Sequence, residues 1–264
     1  LAHPDAIALA AAGGFGLVAG PAISAEWDFT PRIEGGVTWT DNVTAADDGL
    51  EEDELITWLT PGFNLTGTGA RTDLELDYSA QALWYADNSD FDDVFHTLDG
   101  RGAFTLAPDN FFLDAFARYD QENIDPGGRI TSGNFFRTGN RTDAAVYGLS
   151  PWYQARLGNW GEAMARYRFQ AVDFTNTDET DLRVEDSDTN SFEASLGSRR
   201  GRPGLSWLFS GSHSVTEFET SQDFAYSRAA LDVGYPVGLR TRATATVGSE
   251  SNFDEDPTAG GLDE

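Results

Sequence analysis

Thr72-Asp73-Leu74-Glu75-Leu76-Asp77-Tyr78-Ser79-Ala80-Gln81-Ala82-Leu83-Trp84 is the stretch that decides the fold. Successive side chains of a strand point to opposite faces. Leu74, Leu76, Tyr78, Ala80, Ala82 and Trp84 therefore share one apolar face, and Asp73, Glu75, Asp77, Ser79 and Gln81 share a wet one. The segment is also long for a strand of a soluble protein, where about 5–6 residues is usual.

The same period of two recurs on both sides of it. Trp27, Phe29, Ile33, Val37 and Trp39 oppose Asp28, Arg32, Glu34 and Thr38. Leu98 and Phe104 oppose Asp99 and Arg101, and Leu113, Ala115, Ala117 and Tyr119 oppose Asp114 and Arg118. Ala144, Val146 and Trp152 are read as opposing Arg141 and Asp143. Ala163, Ala165, Tyr167 and Phe169 oppose Glu162, Arg166 and Arg168. Trp207 and Phe209, Leu231 and Val233, and Ala243 and Ala245 continue the series, with Arg228 and Asp232 among the polar partners. Weaker segments near 54–66 and 190–199 bring the expected number of strands to 11.

The connections alternate as well. Tight turns are expected near Gly67-Thr68-Gly69, Pro108-Asp109-Asn110, Gly158-Asn159, Gly201-Arg202-Pro203 and Pro236-Val237-Gly238. Longer polar loops are expected near 41–53, 87–93, 121–139 and 175–189, with a shorter one at 219–222. A soluble β-sandwich also alternates its faces, but it has no reason to sort its loops by length. A membrane barrel does, with short turns at one end, long loops at the other, an apolar outer band and a polar interior. Trp27, Trp39, Trp84, Tyr119 and Trp152 near strand ends suit its interfacial girdles. The expected fold is all-β: an antiparallel up-and-down transmembrane β-barrel of the outer membrane of a Gram-negative bacterium. It is read as incomplete, about 11 strands of a larger barrel, because bacterial single-chain barrels have even strand numbers.

Residues 1–25 read as a signal-peptide remnant: the apolar run Ile7–Ala19, then Pro21 and the small residues Ala22-Ile23-Ser24-Ala25. Residues 26–264 are then the partial barrel, read as truncated at the C-terminus because Asn252-Phe253-Asp254-Glu255-Asp256-Pro257 has the look of another loop. The charge is lopsided, with 44 acids against 17 basic residues and a net charge of −27; every basic residue is arginine. Nucleic acid as a partner is excluded by that sign, since phosphate binding needs clustered cations. A strongly acidic surface also suits high salt, where repulsion is screened. With no cysteine there is neither a disulfide framework nor a thiolate metal site.

The segment Trp27-Asp28-Phe29-Thr30-Pro31 through Thr38-Trp39-Thr40-Asp41-Asn42-Val43 resembles the opening of the PEP-CTERM system-associated outer-membrane β-barrel family. Pro61-Gly62-Phe63, Gly69-Ala70-Arg71, Asp77-Tyr78 and Trp84-Tyr85 continue the likeness, which covers about 26–175. Thr40-Asp41-Asn42-Val43 is its most specific motif; Trp39 departs from the tyrosine expected there. The resemblance implies an outer-membrane location and a link to exosortase systems and exopolysaccharide export, and it implies no established catalytic activity; no cofactor is expected. In physical terms Asp and Asn also favour turns through side-chain-to-backbone bonds.

The candidate site is the polar face. Arg101, Arg118, Arg141, Arg166, Arg168 and Arg228 are expected to face the lumen with Asp73, Glu75 and Asp77. Charged rings tune the selectivity of pores, and an arginine row suits an acidic exopolysaccharide; cross-strand ion pairs filling the interior are the competing reading. Outer-membrane lipid and export machinery complete the expected partners. The acidic loops 47–54, 87–93 and 178–188 offer oxygen ligands, but no EF-hand spacing, so no metal site is expected. No enzyme is expected either: Ser212 and Ser214 flank His213, but they point away from it, and His96 and His213 fall on the outer face. A scaffold or adhesion barrel acting through its loops is the alternative, and an outer-membrane hydrolase the lesser one.

Overall fold

The structure, a computed structural model, describes residues 25–125, 133–137, 140–175, 184–199, 204–238 and 241–255. Residues 1–24, on which the signal-peptide reading falls, lie outside them. The strands are β1 (Glu26–Thr40), β2 (Glu54–Thr68), β3 (Thr72–Tyr85), β4 (Asp93–Ala107), β5 (Phe111–Asn123) and β6 (Arg141–Leu157). They continue with β7 (Gly161–Thr175), β8 (Ser187–Ser198), β9 (Ser206–Phe218), β10 (Asp223–Pro236) and β11 (Arg242–Glu255). A single 3-10 turn at Ser89–Phe91 is the one helical element among the described residues.

Every strand pairs antiparallel with its sequence neighbours, in the order β1 to β11. The sheet is open: β1 and β11 each pair on one side only and do not touch each other. The expected count of 11 strands is therefore present, and the connections sort by length up to β8: 41–53, 86–92 and 124–140 are long and 69–71, 108–110 and 158–160 tight, but 199–205 on the turn side is longer than 219–222 on the loop side. At the turn before β5, Asp109 takes a left-handed φ of 67°, a conformation that Asp and Asn tolerate better than most residues.

Register fixes the two faces. Arg32 stands opposite Gly62, Gly62 opposite Ser79, Asp77 opposite Asp99, Asp99 opposite Arg118, and Arg118 opposite Val146. Followed through all eleven strands, these pairings put Asp73, Glu75, Asp77, Arg101, Arg118, Arg166, Arg168 and Arg228 on one face. That face is the concave one: Asp73 and Glu75 of β3 line a single cavity of about 510 Å³ with Arg166 and Arg168 of β7. The convex face carries Trp27, Phe29, Ile33, Val37 and Trp39, each more than half exposed.

β6 is paired the other way round from the sequence reading. Ala144, Val146 and Trp152 lie on the concave face, and Arg141 and Asp143 on the convex one by register. The odd positions of β6 run Ala145, Tyr147, Leu149, Pro151, Tyr153 and Leu157, an apolar row that the two charges at its start conceal. Arg141 and Asp143 sit at the loop end of the strand, beyond the apolar band, where a charge costs little. Trp152 consequently does not belong to an outer girdle. It stacks on Phe112 at 4.0 Å, under the Arg166 guanidinium at 5.2 Å.

The buried apolar cluster of the described residues lies within the concave face, at its loop end. Val43, Ile56, Leu83 and Tyr85 are buried there, with Trp58, Phe91, Phe95 and Phe135 packed around them. Leu83 and Tyr85 continue the polar row of Asp77, Ser79 and Gln81, so the alternation fails at the end of β3. It fails because loops cover that end.

Candidate functional site

The concave face is laced with ion pairs. Arg32 reaches from β1 across β2 to Asp77 on β3, with both oxygens accepting at 2.6 Å. Gly62 makes the crossing possible, because a Cβ there would lie 3.1 Å from Arg32 Nε and 2.6 Å from the Tyr78 carbonyl oxygen. Arg101 pairs with Glu75 at 2.7 Å, Arg166 with Asp114 at 3.1 Å and Arg168 with Glu193 at 3.1 Å. Arg228 meets Glu250 at 3.4 Å, and Arg118 makes only looser contacts with Asp120 and Glu122 along its own strand. Most of the proposed arginine row is thus neutralised at mid-height. Arg32, left out of the sequence-based set, holds the tightest of these pairs; its place beside Thr30 and Glu34 on the polar face of β1 carried the signal.

Arg141 leaves its register face at the strand end. Its guanidinium donates to the Gly133 carbonyl oxygen at 2.7 Å and to Asn134 Oδ1 at 2.9 Å. Those residues belong to a segment, 133–137, that folds inward over β2 to β4. Asn134 donates to Gln81 Oε1 at 3.0 Å, and Tyr85 Oη donates to the Phe135 carbonyl oxygen at 3.1 Å. Phe135 packs edge-on against Trp58. Arg137 ties the segment down: its amide donates to the Val43 carbonyl oxygen, its guanidinium pairs with Asp93 at 3.0 Å and donates to the Phe91 carbonyl oxygen, and it lies over the rings of Tyr85 and Phe95.

The Thr40-Asp41-Asn42-Val43 motif serves this same loop end. Asn42 Nδ2 donates to the Ala46 carbonyl oxygen at 2.8 Å, and Asn42 Oδ1 accepts from the Ala46 amide at 2.7 Å. The Asn42 amide donates to Thr40 Oγ1 at 3.2 Å. Val43 is fully buried in the apolar cluster, while Asp41 faces solvent. The motif shapes a loop and seats it.

Glu54, the last acid of the 47–54 stretch, is buried, 1% exposed. Its carboxylate accepts from the amides of Leu55, Asp87 and Asn88 and from Asn88 Nδ2, at 2.9–3.1 Å, and so clamps the 86–92 connection. Glu185 clasps two other loops in the same manner, with one oxygen accepting from the Thr220 amide and hydroxyl and from the Ser221 amide. Those bonds from Ser221 and Thr220 hold its carboxyl down to about 2. Among the described residues no three His, Asp or Glu side chains come together as a metal would require.

His96 and His213 lie on the convex face. His96 Nδ1 shares a 2.8 Å hydrogen bond with the Tyr78 hydroxyl, and His213 Nδ1 shares one of 2.8 Å with Ser227 Oγ. Ser227 is directly opposite His213 on β10, a cross-strand relation that inspection of Ser212 and Ser214 could not reveal. No carboxylate orients the His213 ring among the described residues.

Fold and site together define an up-and-down antiparallel sheet that is polar and ion-paired within its curve and apolar outside. No protein-family model matches the chain, and no curated protein matches it. Among solved structures the chain is similar to OmpTdeltaL8, a loop L8 deletion mutant of OmpT, an outer membrane protein of Vibrio cholerae. The identity is 10%, the TM-score 0.41, and the match covers 87% of this chain and 94% of the other.

Proposed function

We propose that this protein is an outer-membrane β-barrel of porin-like or envelope character, acting in the export of exopolysaccharide. The observation that carries the membrane reading is the sorting of its faces: charges line the concave side and large apolar side chains cover the convex one. A protein folded for water does the reverse. The dimensions agree. Trp27 and Trp39 close the two ends of the β1 outer face, about 40 Å apart at about 3.3 Å per residue. A strand tilt of about 40° brings that to about 30 Å across the membrane, near the thickness of the hydrocarbon core. The exopolysaccharide link is supported by the resemblance of residues 26–175 to the PEP-CTERM-associated barrels.

Two measurements on the protein reconstituted in lipid test this. Brominated acyl chains should quench Trp27, Trp39 and Trp84 and spare Trp152; equal quenching of all four refutes the orientation. Planar-bilayer recording then reads the pore. A second reading, a non-conducting scaffold acting through acidic loops, is favoured by one feature: the 133–137 segment is pinned inside the mouth. Absence of conductance in a correctly inserted protein selects it.

A further inference from the structure

With 44 acids and 17 arginines, carboxylates without a cationic partner are unavoidable in this chain, whereas an arginine without one is conspicuous. Three such arginines converge on one place. Arg156, Arg199 and Arg242 line a cavity of about 1130 Å³ on the concave face, at the tight-turn end of β6 to β11. None of the three is in an ion pair among the described residues. Arg156 stands opposite Glu162 in register and still does not pair with it. Among the described residues the Arg199 guanidinium makes one long contact, 3.4 Å, to Asn159 Oδ1. Arg242 donates to Ser206 Oγ from across β10, its guanidinium lying where a Cβ on Gly234 would be, 2.6 Å from Nε. Arginines elsewhere on the face, such as Arg101 and Arg168, are spent on acids. The remaining wall carries the hydroxyls of Ser195, Ser198, Ser206, Thr244 and Thr246 beside two acids, Glu162 and Asp232, the latter accepting from Thr246 Oγ1 at 2.5 Å, so the three guanidiniums outnumber the lining carboxylates.

We infer that this cavity binds a carboxylated oligosaccharide of the uronate type. Planar guanidiniums recognise carboxylates in two-pronged geometry, and the hydroxyl wall complements a ligand that is itself covered in hydroxyls. At about 1130 Å³ the cavity is slightly larger than a usual small-molecule site of about 300–1,000 Å³, as an oligosaccharide requires. The inference rests on the barrel reading only for the side of the membrane that the cavity faces.

The test is calorimetric titration of the detergent-solubilised protein with tetragalacturonate, with maltotetraose as the neutral arm and citrate as the simple carboxylate arm. Tetragalacturonate should bind, and the other two should bind at least about tenfold more weakly. The triple variant Arg156→Gln, Arg199→Gln, Arg242→Gln should lose at least about tenfold in affinity. The single exposed change Arg156→Gln, which breaks no ion pair, should lose about threefold or more with an unchanged unfolding midpoint. Arg228→Gln, outside the cavity, should bind as the parent does. No tetragalacturonate binding, equal binding of maltotetraose or citrate, or full binding by the triple variant overturns the site. Because binding is read in solubilised protein and the barrel by lipid quenching and conductance, the two can fail separately.

Discussion

Replacing Arg137 by methionine keeps most of the aliphatic bulk beneath the 133–137 segment and removes its charge. Three kinds of interaction go with the guanidinium. The pair with Asp93, at 3.0 Å and partly exposed, contributes about 0.2–1 kcal/mol. The charged donor to the Phe91 carbonyl oxygen contributes about 1.5–3 kcal/mol. The positions over the Tyr85 and Phe95 rings, at 5.7 and 5.3 Å, contribute about 0.5–1 kcal/mol each. One group cannot deliver all of these independently, so a net loss of about 2–4 kcal/mol is expected for the docked segment. That is about a 30- to 1000-fold rise in its opening equilibrium. Hydrogen exchange reads it directly, because the Arg137 amide is bonded to the Val43 carbonyl oxygen when the segment is seated. Amides of β7 and β8 should be unaffected. Exchange in 133–137 that stays within about threefold of the parent would refute the assignment of Arg137 as the tie.

Two further outcomes are expected. Glu54→Ala strands three amides and the Asn88 side chain at a site the carboxylate now fills, so protease cleavage within 86–92 should accelerate by a factor reflecting about 2–4 kcal/mol; unchanged cleavage would show that the clamp is idle. Glu185 sits below the ordinary carboxyl value of 4.5, at about 2, so its clasp is fully present above pH 4.5 and is lost as the pH falls through about 2. Exchange at the Thr220 and Ser221 amides should rise over that window in the parent, and be already raised and flat in Glu185→Gln.

Strand number, pairing order and the sorting of connections were legible because they rest on a period of two and on turn chemistry, both local properties. The reading slipped on β6 for a local reason too: Arg141 and Asp143 at the strand start outweighed a longer apolar row that begins at Ala145. The polar row could be placed on one face, but its partners could not. Arg32 meets Asp77 across an intervening strand, at a separation of 45 residues, and only register shows that Gly62 lies between them. The loop end was hidden more deeply. Ile56, Leu83 and Tyr85 break the alternation, and that lapse was the available sign that something covers them. What covers them comes from 133–137, on which sequence periodicity has nothing to say.

The open sheet has a handedness of direction that bears on how its seam is filled. Odd-numbered strands all run the same way, so the free edges of β1 and β11 point in the same sense. A second copy laid alongside in the same orientation would set its β1 beside this β11 in parallel and break the antiparallel ladder. The two edges are therefore matched in direction and mismatched for joining: a plain copy of the sheet laid beside it in the same orientation cannot extend its antiparallel ladder, and only an odd number of alternating strands could stand between them.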